Sequence, residues 1–248
     1  MREYFFKYKK FLIIAATFIF IFASIFYMSA FFARGIKFNG KFLKKSISGD
    51  TVYYSGKDSW GKIQISVRKL EEGPEEGSYE IVYDLPCNAR KSYTVNIKDR
   101  YEKWTKNVSI YHNSELIFKG KYGKYSGHYL YDTEGNPLLN DVIKIEVVPQ
   151  GAKGNPYLNY EPSKWEMVNI VLGENEKIRG NVGLLLIALV IIAVMAIDIK
   201  WPLFFFTLKH FLSVRDPEPS DFYLKMQKVG WVAMPVIAMV ILVVALIC

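Results

Sequence analysis

Twenty-three consecutive residues without a charge, Phe11–Ala33, constrain this chain more than any other feature. As a helix the run would extend roughly 34 Å at 1.5 Å per residue, enough to cross a hydrocarbon layer of about 30 Å. A helix on the surface of a soluble domain needs apolar residues on one stripe only, whereas this run is apolar all round. Two further apolar runs, Val182–Ile197 and Val229–Ile247, lie near the other end of the 248 residues. The expectation is therefore a multi-pass protein of the cell membrane, with the lipid bilayer as its first partner.

The basic start Arg2, Lys7, Lys9 and Lys10 suits a targeting segment. The apolar run after it exceeds the usual h-region, and Ser29–Ala33 makes a poor cleavage site, so an uncleaved signal anchor is expected. With residues 1–10 in the cytoplasm, nine basic residues near span ends lie inside and seven outside, which favours that orientation by a small margin. The organisation read from the sequence is residues 11–33 as the first span, 34–179 as an extracytoplasmic domain and 180–198 as the second span. Residues 199–228 follow as a cytoplasmic amphipathic segment and turn, and 229–248 as the third span.

The net charge is +8, of which the block 34–179 carries half. No basic helix or dense Lys/Arg stripe marks a nucleic-acid footprint. A mild positive excess beside a membrane suits solubility, anionic head groups or anionic cell-wall polymers. The only cysteines are Cys87 and Cys248, too few for a secreted disulfide scaffold. One bridge between them requires Cys248 on the domain's side of the membrane; otherwise both are free. Asn107-Val-Ser109 fits the glycosylation triplet, a pattern common by chance.

Inside 34–179 the pattern changes to period two. Ile63, Ile65 and Val67 alternate with polar residues, as do Tyr79, Ile81 and Tyr83, then Tyr93, Val95 and Ile97, and Ile143, Ile145 and Val147. Such alternation marks strands with one buried face. Gly73-Pro74, Pro86, His112-Asn113-Ser114 and Glu134-Gly135-Asn136-Pro137 supply turns between them. Val108–Ile110 with Leu116–Phe118 reads as a hairpin; Thr51–Tyr54, Gly127–Tyr131 and Trp165–Val171 read as further strands. Residues 34–49 read as a basic neck, and Pro149–Pro162 as an irregular loop. About seven to nine short strands without intervening helices predict an all-β, antiparallel, sandwich-like domain between three transmembrane helices.

Gly180-Asn181 opens the second span, and Trp201-Pro202 sits where an interfacial aromatic and a helix break belong. Leu203–Val214 has an apolar face of Phe204, Leu208, Phe211 and Leu212, which predicts an amphipathic helix on the inner membrane surface. Ser220 is the expected N-cap of the last helix, and Pro235 predicts a kink within it. Glu218-Pro-Ser-Asp-Phe-Tyr-Leu-Lys225, set within Trp201–Trp231, resembles the C-terminal signature of uncharacterised bacterial membrane proteins grouped as domains of unknown function. That resemblance implies a bacterial protein whose C-terminal hairpin is a unit. It brings no activity, cofactor or site residue.

No motif of catalysis stands out. His112 has Ser109 and Ser114 nearby, and His128 has Ser126 and Asp132, but neighbours on one strand seldom form a triad. Zinc spacing and glycine-rich phosphate loops are absent from the sequence. Asp132, Glu134 and Asp141 flank a turn without matching an EF-hand loop, and a solvated hairpin tip is the expectation. No charge sits at the centre of a span, which argues against an autonomous channel or pump.

One surface candidate remains. In Lys119–Tyr131, the residues Tyr122, Tyr125, Tyr129 and Tyr131 interleave with Lys119, Lys121, Lys124 and His128. Aromatic faces with cations suit sugar rings and anionic polymers, and the competing reading packs the tyrosines into the sheet. The expected function is a non-enzymatic binding domain, without a cofactor, for a membrane or envelope protein or an anionic envelope polymer. An accessory subunit of a larger complex, such as a transporter, is the alternative.

Overall fold

The computed structural model describes residues 2–70, 76–99, 105–123, 129–138, 155–157, 160–210 and 218–247. In chain order they form α1 (Arg2–Phe31), β1 (Arg34–Phe38), β2 (Lys41–Ser48), β3 (Thr51–Lys57), β4 (Lys62–Lys69) and β5 (Glu76–Leu85). Then come β6 (Ala89–Asp99), β7 (Thr105–His112), β8 (Glu115–Gly123), β9 (Tyr129–Tyr131) and α2 (Lys164–Leu172). The chain continues with β10 (Lys177–Ile178), α3 (Val182–Lys200), α4 (Phe204–His210) and α5 (Asp221–Ile247). These elements fall into two compact units, Arg34–Lys177 and Met1–Ala33 with Ile178–Cys248.

In the β unit every described strand joins one antiparallel sheet in the order β10-β1-β2-β3-β4-β5-β6-β7-β8-β9. Sequential hairpins build it, and several turns show their cause in the backbone. Asn39 and Gly40 both have positive φ, as do Asn113 and Ser114, which suits two-residue turns whose twist matches the flanking strands. Phe38 pairs with Lys41 across the first of these turns, and His112 with Glu115 across the second. The segment read as a neck is thus a hairpin, β1 with β2. Ile36, Phe38 and Leu43 within it are buried, and the Asn-Gly dipeptide is the local signal for the turn.

Register carries one face of each strand into the core. Tyr54 pairs with Ile65, Ile65 with Tyr83, Ile81 with Tyr93, Val95 with Ile110 and Ile110 with Phe118, all of them buried. Phe38 on β1 and Tyr83 on β5 have ring centroids 6.4 Å apart. Strands four places apart in a flat sheet stand roughly 19 Å from each other, so this sheet curls toward its buried face. Met167, Val168 and Ile170 of α2, with Tyr157, complete the core.

Two expectations are corrected here. Trp165–Val171 belongs to a helix. Ser163 caps it by accepting from the Glu166 amide at 3.0 Å, and Gly173 in the left-handed conformation returns its N–H to Asn169 and Ile170. Alternating hydrophobicity in Trp-Glu-Met-Val-Asn-Ile-Val concealed the capping pair. The described strands also make one sheet rather than the two layers of a sandwich. Period-two alternation says that a face is buried without saying what buries it, and here α2 does so. The predicted strand Ile143–Val147 lies outside the described residues.

In the other unit, α1, α3 and α5 are each long and apolar enough to cross a membrane. Phe18, Phe20 and Phe22 on α1 and Val232 on α5 stay about 70% exposed, with few side chains of these helices buried. Asn181 caps α3 and Ser220 caps α5, as the sequence suggested, with Pro235 inside α5. The Tyr27 hydroxyl donates to the Leu242 carbonyl at 2.9 Å, and the amides of Gly180 and Asn181 donate to Phe31 and Ala245. Gly180 faces the Phe31 ring so closely that a Cβ there would collide with it. Of the expected amphipathic segment, α4 is described and residues 211–217 are not.

The link between α2 and the sheet yields a testable contrast. The Tyr122 hydroxyl donates to Asn169 Oδ1 at 2.8 Å, while Asn169 Nδ2 and the Tyr83 hydroxyl have no hydrogen-bond partner among the described residues. Tyr122→Phe strands the other end of the Asn169 amide and is expected to cost about 1–3 kcal/mol. Tyr83→Phe removes a hydroxyl that makes no such bond and is expected to be neutral or mildly stabilising. Chemical denaturation of the full chain, followed by circular dichroism, reads both.

Candidate functional site

The segment proposed from sequence separates in the structure. Lys119 and Lys121 alternate with buried Phe118 and Tyr122 along β8 and are exposed. Tyr131 pairs with Lys121 and Tyr129 with Gly123, both tyrosines half-buried on β9 at the end of the sheet. Tyr122 is a correction: it is 2% exposed and bonded to Asn169, because its parity on β8 is that of the core. Lys124, Tyr125 and His128 lie outside the described residues. What remains among the described residues is a short basic and aromatic edge.

A better-formed concavity opens beside the start of α2. It has a volume of about 400 Å³ and draws Lys91 and Tyr93 from β6, His112 from β7, and Glu161, Ser163 and Lys164 from the approach to α2. The His112 ring stacks on Tyr93 with centroids 4.7 Å apart. Its Nδ1 lies 2.9 Å from the Ser92 carbonyl, which can only accept, so the proton sits on Nδ1 and Nε2 accepts from Asn113. Lys91 is only loosely paired, 3.8 Å from a Glu161 carboxylate whose side chain is 82% exposed.

Beneath the cleft lies a tyrosine cluster. Tyr93 and Tyr83 are 6.1 Å apart edge to face, and Tyr83 and Tyr160 are 6.3 Å apart. Tyr160 donates to Glu166 at 2.9 Å. Burial, then the Glu161 carboxylate, raises the Tyr93 phenol above its ordinary value. Burial and then Glu166 do the same to Tyr160. These groups stay protonated at neutral pH and serve as walls and donors. Two lysines beside the stacked Tyr93 and His112 rings, at the amide-rich first turn of a helix, can hold an anion or the face of a sugar.

Catalytic geometry is not what the cleft displays. The Ser163 hydroxyl is committed to the Glu166 amide, and among the described residues His112 meets the Ser92 carbonyl, the Asn113 amide and the Tyr93 ring. Asp132 takes part in its own turn, accepting from the amides of Glu134 and Asn136 at 2.9 and 2.8 Å. Asp141 lies outside the described residues. Cys87 is exposed and free, and Cys248 is not described. Sequence reading passed over Lys91, Tyr93 and Lys164 because they gather only when α2 docks. The Ser163-x-x-Glu166 pattern was the available clue to that helix start.

At the other end of α2 a smaller pocket of about 240 Å³ is lined by Lys45, Asp50, Tyr54, Lys69 and Glu176 among others. Here the charges answer one another: Glu176 Oε1 lies 2.5 Å from Lys45 Nζ and accepts from the Tyr54 hydroxyl at 2.7 Å.

An antiparallel β-domain with a basic cleft, in a chain that also carries three membrane-length apolar helices, is the class of protein that these features define. Residues 187–245 match the model of a family of unknown function (DUF6199). The match contains the Trp201–Trp231 resemblance, reaches back into α3 and forward through α5, and includes no part of the β unit. No curated protein and no solved structure matches the chain.

The Glu176 cluster predicts a pH dependence. Burial raises its carboxyl, but the hydrogen bonds from Lys45 and Tyr54 and the charges of Lys45 and Arg34 outweigh this and leave it below its ordinary 4.5. A depressed folded value stabilises above pH 4.5, and that contribution fades as pH falls through the folded value. Glu176→Gln is expected to be less stable than the parent at pH 7 and to lose less stability between pH 4.5 and lower pH. Urea midpoints measured across that range test it.

Proposed function

We propose that this is a bacterial membrane protein whose α1, α3 and α5 cross the bilayer, with α1 as signal anchor and the N-terminus in the cytoplasm. Its β-domain lies on the extracytoplasmic side and binds an anionic envelope polymer without chemical turnover. The single observation that carries the binding reading is the cleft of Lys91, His112 and Lys164 over the Tyr93 ring. Cations beside an aromatic wall pair with phosphate or carboxylate groups and cover the apolar face of a sugar or polyol. A protein partner bearing an acidic patch would use the same groups. The exposed Lys119 and Lys121, with the half-buried Tyr131, offer a second contact for a long polymer.

The alternative, an accessory subunit, draws support from the family match. A family model that spans α3, α4 and α5 and stops short of the β unit supports reading that segment as a hairpin module. Deleting 180–248 separates the two: an accessory subunit loses its complex, whereas an anchored binder keeps polymer binding through α1 and the domain.

Sedimentation with purified bacterial walls tests the leading reading. The full chain is expected to co-sediment with native walls, in a salt-sensitive manner, and to be released when their anionic polymers are stripped. The double variant Lys91→Glu/Lys164→Glu is expected to bind about tenfold more weakly. Equal binding by variant and parent, or by stripped and native walls, rejects it. Orientation has its own readout, because Cys87 is exposed in a turn. In a Cys248→Ser background, a membrane-impermeant maleimide is expected to label Cys87 in intact cells; labelling only after lysis reverses the topology.

A further inference from the structure

Among the apolar side chains of α3, Asp198 stands out in the last turn. Its Oδ1 accepts from Gln227 Nε2 at 2.9 Å and its Oδ2 from Trp231 Nε1 at 2.7 Å. Gln227 and Trp231 are four residues apart, so one face of α5 aims two neutral donors at one carboxylate. The charge itself goes unanswered: among the described residues no cation lies within ion-pairing distance of Asp198. The nearby Lys200 ammonium instead lies over the Trp201 ring, 4.4 Å from its centroid. A carboxylate at membrane depth usually has a cationic partner, and leaving one uncompensated is costly.

Against this clamp lies a cavity of about 400 Å³ between α3, α4 and α5. Apart from Asp198, Gln227 and Tyr223 its walls are apolar, with Val190, Val194 and Met234 typical of them. From Asp198 to Val190 the wall follows eight residues of α3, roughly 12 Å of helix. Gly230 lines it, and a Cβ there would meet nothing within 4 Å, so a larger side chain has room to enter. Trp201, three residues beyond Asp198, marks the level at which interfacial aromatics gather. The carboxylate therefore sits just inside the head-group boundary and the apolar walls run inward from it.

The geometry points to a binding site for a bilayer amphiphile with an ammonium head, its head on Asp198 and its alkyl chain along the α3–α5 wall. Charge complementarity selects the occupant. A neutral chain would fill the cavity and leave the carboxylate unpaired, and an anionic head would be repelled. In a low-dielectric wall the ammonium–carboxylate attraction exceeds its value in water. The site is separate from the β-domain cleft, and only the source of the amphiphile rests on the proposed bilayer placement. Failure here and failure of wall binding are therefore distinguishable.

Equilibrium dialysis of radiolabelled dodecylammonium against the full chain in dodecyl maltoside, with micelles alone as the blank, is the test. Saturable one-to-one binding is expected, about tenfold tighter than that of dodecanol to the same unaltered chain. Asp198→Asn, which removes the charge, and Gly230→Leu, which fills the cavity and keeps the charge, are each expected to weaken it by about tenfold. Absence of saturable dodecylammonium binding to the parent overturns the site. Dodecanol binding as tightly as dodecylammonium does too, as does binding unchanged in either variant. The comparison of the two probes on the parent chain stands even where a variant fails to fold.

Discussion

A helical stretch that is apolar around its whole circumference is stable only where water is kept from it, and three helices of this chain contain such a stretch of membrane-spanning length. Phe18, Phe20 and Phe22 of α1 illustrate the constraint: most of their surface meets no other part of the protein. At about 25 cal/mol per Å² such exposure to water would be prohibitive, and a hydrocarbon environment removes the cost without asking for contacts between side chains. Contacts among these helices combine large side chains, Phe31 and Leu185 among them, with small ones. Ala188 on α3 and Ala238 and Ala245 on α5 are buried, and Gly180 admits the Phe31 ring.

The β unit obeys the opposite rule, that apolar surface must be hidden from water by the chain itself. Alternation gives each strand one such surface, and pairing in register assembles β1 to β9 into a continuous apolar face. A curled sheet cannot cover its own concave side. The nine residues of α2 do this, anchored by the Ser163 cap, the Gly173 stop and the buried Tyr122–Asn169 hydrogen bond. A short helix against a concave sheet leaves a gap at each of its ends. One gap is closed electrostatically by Lys45, Tyr54 and Glu176, and the other stays basic and open. The candidate cleft is in this sense a by-product of how the core is covered.

The two polar sites differ in what surrounds them. The β-domain cleft is wet, cationic and floored by tyrosines, which suits a hydrated polyanion held by several weak contacts. The α3–α5 pocket is apolar with one carboxylate, where a single charge decides occupancy because little competes with it. The family match covers the second site and not the first.

The apolar runs, the strand alternation and the turn dipeptides were legible one segment at a time, since each depends on residues a few positions apart. Asn181 and Ser220 announce their helices because a cap needs only the next turn. Tyr122 and α2 were misread for a related reason: parity on β8 and the capping pair were both present, but a Lys/Tyr run and an apolar alternation drew the reading elsewhere. The lesson in Lys91, Tyr93, His112 and Lys164 is different, for they come from β6, β7 and α2, and nothing in their spacing brings them together. Asp198 likewise gains its meaning only when Gln227 and Trp231 arrive from another helix. Local chemistry thus determined which segments are helix, strand or turn and which faces avoid water. Only the folded chain decided what covers those faces, because packing across tens of residues obeys shape and charge rather than sequence distance.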